Sequence, residues 1–412
     1  MKTLLRSAAY LLACIFFLSC NDSSETADEK TLDNCTPLEN REANAPHQKP
    51  AFAGQTRACA ISSSTNFQVQ TLAKGLEQPW AVEPLPDGSL LVTEKSGRLR
   101  IISASGEVGA PIAGLPNVEA GGQAGLLDVA LSPNFSTDNT IFWSFTEPWA
   151  GGNGTSVARG VLSADRTSLG QVKTIFRALP TYNNKMHFGS RLAFSPDGML
   201  YVTLGERSDL ATRPQAQHLD SHLGKIIKIT PQGAPAPDNP FIGQAGALPE
   251  IWSVGHRNVE AAAFDAAGKL WIVDMGPQGG DELNLIQKGK NYGWPLVTYG
   301  EEYSGSPVPN SVTQKEGFEQ PVYYWDPVIA PSGAQFYSGN AFPEWRGDLF
   351  IGGLKDKRLV RLKIKDGKVT GEEHLLQDRN QRIRDVRQGP DGALYIVTDQ
   401  TNGELWKISP RQ

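Results

Sequence analysis

The sequence predicts an all-β fold, a six-bladed β-propeller of four-stranded antiparallel blades, preceded by an N-terminal signal and a short extension. Turns are the first reason: 42 Gly and 28 Pro are scattered along 412 residues, a density that long helices could not tolerate. The second is a unit of turn plus short alternating strand that returns from about residue 65 onward. The third is the balance of 39% hydrophobic and 20% charged positions, which gives a chain of this length a large core and excludes disorder throughout.

At the N-terminus, Lys2 and Arg6 precede an apolar stretch from Ala8 to Leu18, and a polar run from Asn21 to Lys30 follows. That order of charge, apolar core and polar flank reads as a secretory signal over 1–19. A stretch this short cannot cross a hydrocarbon core that takes about 20 residues in a helix, and no later segment supplies such a run. Phe17-Leu18-Ser19-Cys20 resembles the bacterial lipobox, in which cleavage precedes the cysteine and lipid joins its sulfur, although Phe17 stands where Leu is usual. An ordinary cleaved signal with Cys20 at its edge accounts for the same residues. The expected location is the periplasm, with a lipid anchor at Cys20.

Residues 20–64 are polar and short of aliphatics, and read as a tether with a strapped extension. Cys14 leaves with the signal, so Cys35 and Cys59 can pair in an oxidising compartment; closing that loop would contribute about 3 kcal/mol in the chain-entropy model. No cysteine follows position 60, which excludes thiol catalysis and cysteine metal sites from the main body.

Residues 65–412 carry the blades. Pro86-Asp87-Gly88 leads into Ser89 to Glu94, and Pro196-Asp197-Gly198 into Met199 to Gly205. Ala267-Gly268, Arg346-Gly347 and Asp391-Gly392 precede three further strands, and Pro133-Asn134-Phe135 before Thr140 to Phe145 supplies a weaker sixth. Each blade has two apolar faces that it cannot bury alone, whereas a closed ring stacks every face on a neighbour and leaves no long edge. Insertions such as 205–224 and 275–325 should project at one rim and build the site.

Chemistry-bearing residues concentrate there. His187 sits in Asn184-Lys185-Met186-His187-Phe188-Gly189-Ser190-Arg191 before a blade strand, where an imidazole can accept a proton from an alcohol; hydrogen-bonding duty is the plainer alternative. His218 and His222 stand at helical spacing without the Glu of a metalloprotease pattern and read as structural. Gly276-Pro277-Gln278-Gly279-Gly280-Asp281-Glu282 bends the backbone beside two carboxylates, which suits calcium and equally suits a surface turn. Arg382 and Arg384 alternate onto one strand face that could clamp a polycarboxylate, or be a wet rim, and Lys355 has the same ambiguity. The 39 Lys and Arg against 44 Asp and Glu leave a formal charge of -5, with no basic field for nucleic acid.

Together these segments resemble the soluble glucose/sorbosone dehydrogenase family, in particular its aldose sugar dehydrogenase branch. The resemblance runs from about residue 65 to 408. It rests on Gly122-Gln123-Ala124-Gly125-Leu126-Leu127-Asp128, His187 to Leu192, Gly255-His256-Arg257-Asn258, Gly276-Pro277 with Asp281 to Ile286, Asn291-Tyr292-Gly293-Trp294-Pro295, Ala330-Pro331-Ser332-Gly333, Leu354-Lys355 and Arg382 to Val386.

The resemblance implies a propeller that uses pyrroloquinoline quinone and calcium to oxidise aldose sugars at C1 to lactones. It implies His187 as the base and Gln123 as a substrate contact. Arg257, Asn258, Lys355, Arg382 and Arg384 would face the cofactor, with the carbonyls of Gly276 and Pro277 on its calcium. Glu282 and Tyr292 match positions tied to additional calcium in some members. Electrons would pass to a respiratory quinone, a cytochrome or a dye, and a monomer and a dimer are both compatible with the sequence. The chain departs from its glucose-oxidising relatives at Met186, Arg207 and Val328, positions expected at the sugar or cofactor rim, which suggests broad aldose specificity. A non-catalytic binding propeller and a calcium-dependent lactonase-type hydrolase are the alternatives in other classes.

Overall fold

The computed structural model describes residues 35–411; the expected signal, Cys14 and Cys20 lie outside them. Six antiparallel sheets follow one another along the chain. Blade 1 holds the strands Pro79–Pro84, Leu90–Glu94 and Arg98–Ile102, and blades 2 to 5 span 126–177, 192–254, 259–325 and 331–375. Blade 6 joins Ile383–Gln388, Leu394–Thr398 and Gly403–Pro410 to the first strand of the chain, Phe67–Leu76. Val69 lies opposite Ile408. The two ends of the propeller chain therefore share one blade, and this pairing closes the ring without leaving a free edge.

Blades 2 to 6 have four strands and blade 1 has three. Beside its third strand runs an irregular segment in which Gly109 and Ile112 donate to the carbonyls of Ile101 and Leu99. Gly106, Gly109 and Pro111 interrupt this stretch, and a chain so interrupted cannot sustain a regular ladder.

The repeated turn has a physical reason. Gly88 and Gly198 sit at φ +85° and +78°, a region that costs an ordinary residue but not glycine. The same glycine recurs at positions 268, 347 and 392, again with positive φ. Each such turn reverses the chain between the first and second strands of a blade.

The core lies between blades. Trp80 and Leu91 of blade 1 pack with Leu126, Trp143 and Phe145 of blade 2, and Phe142 and Val157 pack with Leu192 and Ile227 of blade 3. Equivalent clusters join blades 3 and 4, 4 and 5, 5 and 6, and 6 and 1. At the roughly 25 cal/mol per Å² of apolar surface buried, these six seams are the main favourable term in closing the ring.

A buried ionic hub joins the inner strands. The fully buried Arg191 guanidinium lies 3.1 Å from both Asp128 and Asp385. It also donates to the backbone carbonyls of Glu260 at 2.6 Å and Arg384 at 3.1 Å and lies over the Trp80 ring at 4.1 Å. The Asp128 and Asp385 carboxylates in turn accept the backbone N–H groups of Leu192 and Val82. Five blades thus meet at one guanidinium and its two carboxylates.

The segment 36–66 packs against the propeller. Ala58 joins the cluster between blades 4 and 5, and the Ile61 N–H donates to the Glu372 carbonyl at 3.0 Å. Cys35 and Cys59 are both disulfide-bonded. Among the described residues, no helix is long and apolar enough to cross a membrane.

Candidate active site

A cavity of about 300 Å³ is lined from blades 1, 4 and 6 and from the loops between blades. Its walls include Trp80, Lys95, Gln123, Glu260, Arg382 and Arg384, with Asp399 beside the two arginines. Strand register explains that last group: Ile383 pairs with Thr398, so Asp399 arrives next to Arg382. Asp399 Oδ2 accepts two hydrogen bonds from Arg382, at 2.8 and 2.6 Å, and its Oδ1 lies 3.1 Å from Arg384. Desolvation would raise the Asp399 carboxyl, but Arg384 and Arg382 hold it at about 2. Arg384 also donates to Glu260 at 2.7 Å.

Three cations, Lys95, Arg382 and Arg384, therefore face two carboxylates, Asp399 and Glu260, in one pocket. Desolvation, together with the nearby Arg384 charge, pulls the Lys95 ammonium below the usual lysine range. A bound anion would relieve that cost. The flat Trp80 side chain adds an aromatic wall.

His187 stands behind the Gln123 wall. Its backbone N–H donates to Gln123 Oε1 at 2.6 Å, so this glutamine, read from the resemblance as a substrate contact, has its oxygen on the histidine backbone. The imidazole Nδ1 lies 2.6 Å from Glu206 Oε1, in a site that leaves His187 only 3% exposed. Burial and the positive charge of Arg257 lower its pKa, and the hydrogen bond to Glu206 partly opposes them. His187 adopts φ +48°, and Asn258 Oδ1 accepts the Gly189 N–H at 3.0 Å. Asn258 is thus committed to the His187 loop and, through Nδ2, to Glu260 at 3.0 Å.

Arg257 lies on the adjoining wall, donating to the carbonyls of Met275 at 2.9 Å and Gly276 at 2.8 Å; Met275 lines the large cavity as well. Arg257, Gly276, Asp274 and Glu282 surround a cleft of about 10 Å³, the size of one water-sized species. Burial, with the neighbouring Asp274 and Asp281, drives the Glu282 carboxyl well above its usual range. Desolvation pushes Asp281 up to about 7, although the Ala330 and Gly276 N–H groups donate to it. Carbonyl and carboxyl oxygens are the donors a hard cation takes, and here the Arg257 guanidinium holds the Gly276 carbonyl. Among the described residues no group of three His, Cys, Asp or Glu forms a protein cage for a metal.

The remaining expected residues are less central. Pro277 is buried next to Gly276. The Tyr292 hydroxyl donates to the Leu285 carbonyl at 2.8 Å and its ring stacks on His256 at 5.0 Å, which places its side chain in the seam between blades 3 and 4. Lys355 is exposed, directly after Leu354 of the cavity wall. Two of the three departures are buried. Arg207 is 1% exposed, with its guanidinium turned onto Asn153, Asn184 and the Met186 carbonyl, and Val328 is 5% exposed. A long side chain at the end of a strand can turn under its loop as easily as into a cavity, which spacing does not reveal. His222 is structural, as expected: its Nδ1 accepts the Leu179 N–H at 3.0 Å.

Trp80, Lys95, Glu206, Glu260 and Asp399 carry no motif in the sequence. For Asp399 the strand register, and for Glu206 its place at a strand end 19 residues beyond His187, are the signals that point to them.

The model of the family described as glucose/sorbosone dehydrogenase matches residues 76–407. The chain belongs to the glucose/sorbosone dehydrogenase family. A similar relative is the aldose sugar dehydrogenase YliI of Escherichia coli K12, 46% identical over 354 residues, covering 85% of this chain and 95% of that one. The solved apo-form of the soluble aldose sugar dehydrogenase from Escherichia coli is 45% identical with a TM-score of 0.81, over 84% of this chain and all of that one. The PQQ-bound form of an aldose sugar dehydrogenase from Streptomyces coelicolor is 30% identical with a TM-score of 0.68, again over 84% of this chain and all of that one. Membership of the glucose/sorbosone dehydrogenase family makes the axial pocket of this propeller the place to look for sugar oxidation.

Proposed function

We propose that this protein is a periplasmic, calcium-assisted aldose dehydrogenase that uses pyrroloquinoline quinone and oxidises sugars of several kinds at C1 to lactones. The observation that carries this reading is the pocket in which Lys95, Arg382 and Arg384 outnumber Asp399 and Glu260, beside the buried His187–Glu206 pair. A tricarboxylate suits that surplus of positive charge, and the Trp80 ring suits a flat ring system. The homologue from Streptomyces coelicolor, solved in a PQQ-bound form, supports the same group here. When bound, the quinone would supply the hydride acceptor that no protein side chain provides.

The residues of the chain do the rest. With Nδ1 committed to Glu206, Nε2 of His187 is the nitrogen that can take the anomeric hydroxyl proton. Glu206 fixes the ring and stabilises the imidazolium that forms. Gln123 and Asn258 hold the backbone on either side of His187. Arg382 and Arg384, steadied by Asp399, would bind carboxylates; Arg257 and Lys355 would complete the cationic collar. The Gly276 carbonyl, with Pro277 and Glu282 near it, would hold calcium.

An anchored periplasmic form rests on the Cys20 motif, and electrons would leave to a respiratory quinone, cytochrome or dye. A hydrolase would need free carboxylates converging in the pocket, whereas Glu260 and Asp399 are both bonded to Arg384. The buried His187–Glu206 pair beside the cavity favours chemistry over a pure binding module.

The test is to titrate purified protein with the quinone and calcium, then add a panel of mono- and disaccharides with a redox dye. His187→Ala should keep quinone affinity and lose turnover by roughly 10² to 10⁴, the usual worth of a positioned base. Unchanged turnover removes the histidine from the chemistry, and a loaded protein that reduces no dye with any aldose leaves only the binding module.

A further inference from the structure

The family match begins at residue 76, so the ordered segment 36–66 lies outside it and has no role in the reading above. Its contacts fall in an uneven pattern. Asn44 and Ala45 donate their backbone N–H groups to the two oxygens of Asp326, at 2.5 and 3.1 Å. Asn44 Oδ1 accepts the Val328 N–H at 3.0 Å, and the Asn44 carbonyl accepts from Gln278 Nε2 at 3.5 Å. Ala45 is buried and closes over Gly279, where an added Cβ would meet its methyl at 3.1 Å. Arg41 forks onto both oxygens of Asp356, at 2.9 and 2.7 Å. Arg57 binds the Asp326 carbonyl together with the carbonyls of Glu39 and Arg41, which ties the segment to itself.

Several of these touch points lie close to a position that matters, while others, at Tyr323, Tyr324 and Glu372, hold the segment to the blades. Gln278 and Gly279 follow Gly276-Pro277, Val328 precedes the cavity residue Ala330, and Asp356 follows Lys355. Loops left free would have to be ordered when a ligand binds, at a cost of about 1–2 kcal/mol of backbone entropy per residue. Outer contacts that fix them beforehand remove that cost.

We infer that segment 36–61 is a brace for the cofactor site: from outside the blade ring it fixes the three loops carrying Gly276-Pro277, Ala330 and Lys355. Asn44 and Arg41 are its positioning residues. The inference rests on the quinone reading of the axial cavity, and its test separates the two.

In the full chain, Asn44→Ala combined with Arg41→Ala is compared with Glu344→Ala, which releases the far end of the segment at Ser63, Ser64 and Thr65 and touches none of the three loops. Hydrogen exchange is read without quinone, and quinone affinity is then measured by titration. The double variant should exchange faster at 276–280, 326–330 and 354–357 and bind quinone about 10- to 100-fold more weakly, as outer-shell losses do. Glu344→Ala should match the wild type in both. Wild-type protection in those loops, or wild-type quinone affinity in the double variant, overturns the brace. If the wild type binds no quinone, the functional reading falls while the exchange comparison still decides the brace. Should the double variant not fold, Arg41→Ala alone, on a side chain 44% exposed, carries the same comparison.

Discussion

Two ionic clusters share the propeller axis, and they are built to opposite rules. In the hub, Arg191 and Arg387 meet Asp128, Asp385 and Glu83. In the cavity, Lys95, Arg382 and Arg384 meet Asp399 and Glu260. The hub has a carboxyl to spare, and desolvation, with Asp128 and Asp385 nearby and Arg387 opposing, pushes the Glu83 carboxyl up to about 8. Near neutral pH Glu83 is therefore mostly protonated, and the hub balances two positive with two negative charges. In the cavity the spare group is a cation, and Lys95 carries the cost of that surplus as an ammonium held below the usual lysine range by burial and Arg384. Charges that hold a fold can be paired to completion, whereas a binding site keeps a remainder for its ligand.

Substitutions at matched positions break or sharpen this contrast. Arg191→Met leaves two fully buried aspartates without the cation between them. Unfolding by denaturant should show a loss of roughly 3–5 kcal/mol, the usual result of breaking one side of a buried pair. A loss under about 1 kcal/mol would deny the hub its structural part. Arg382→Met removes a cation that is 41% exposed and shares its carboxylate with Arg384. The denaturation midpoint should hardly move, while quinone affinity falls by roughly 10- to 100-fold, as for the loss of a charged hydrogen bond of about 1.5–3 kcal/mol. If the two variants lose stability alike, the clusters do not differ as described.

The blades were legible because one local unit recurs: a glycine forced to positive φ, then an alternating strand whose faces must be covered. The axial arginines were legible because alternation puts Arg382 and Arg384 on one face. Their carboxylate was not, since Asp399 joins them only through the register of a hairpin. The hub was hidden for a stronger reason: Arg191 at the start of blade 3 meets Asp385 of blade 6, and only ring closure brings them together. Gln123 was legible as a cavity residue, and its hold on the His187 backbone was not. Arg207 shows that a long side chain at a motif edge can turn under its loop. The irregular edge of blade 1 was readable in principle from Gly106, Gly109 and Pro111, which break a ladder wherever they fall.

The smallest expected effect separates a positioned base from a merely buried histidine. Burial and Arg257 disfavour the imidazolium of His187, and Glu206 favours it, with a net lowering. A base works in its neutral form, so activity is present above the folded-state pKa and lost as pH falls through it. The acid limb of kcat/KM should therefore lie below the ordinary histidine value of about 6.5. Glu206→Gln removes the charge that raises this pKa, so the limb moves to still lower pH. Turnover drops by roughly tenfold, short of the 10²–10⁴ tied to the base itself, because the ring loses its anchor. A limb that moves upward, or stays in place while turnover falls, would mean that Glu206 acts on something other than this imidazole.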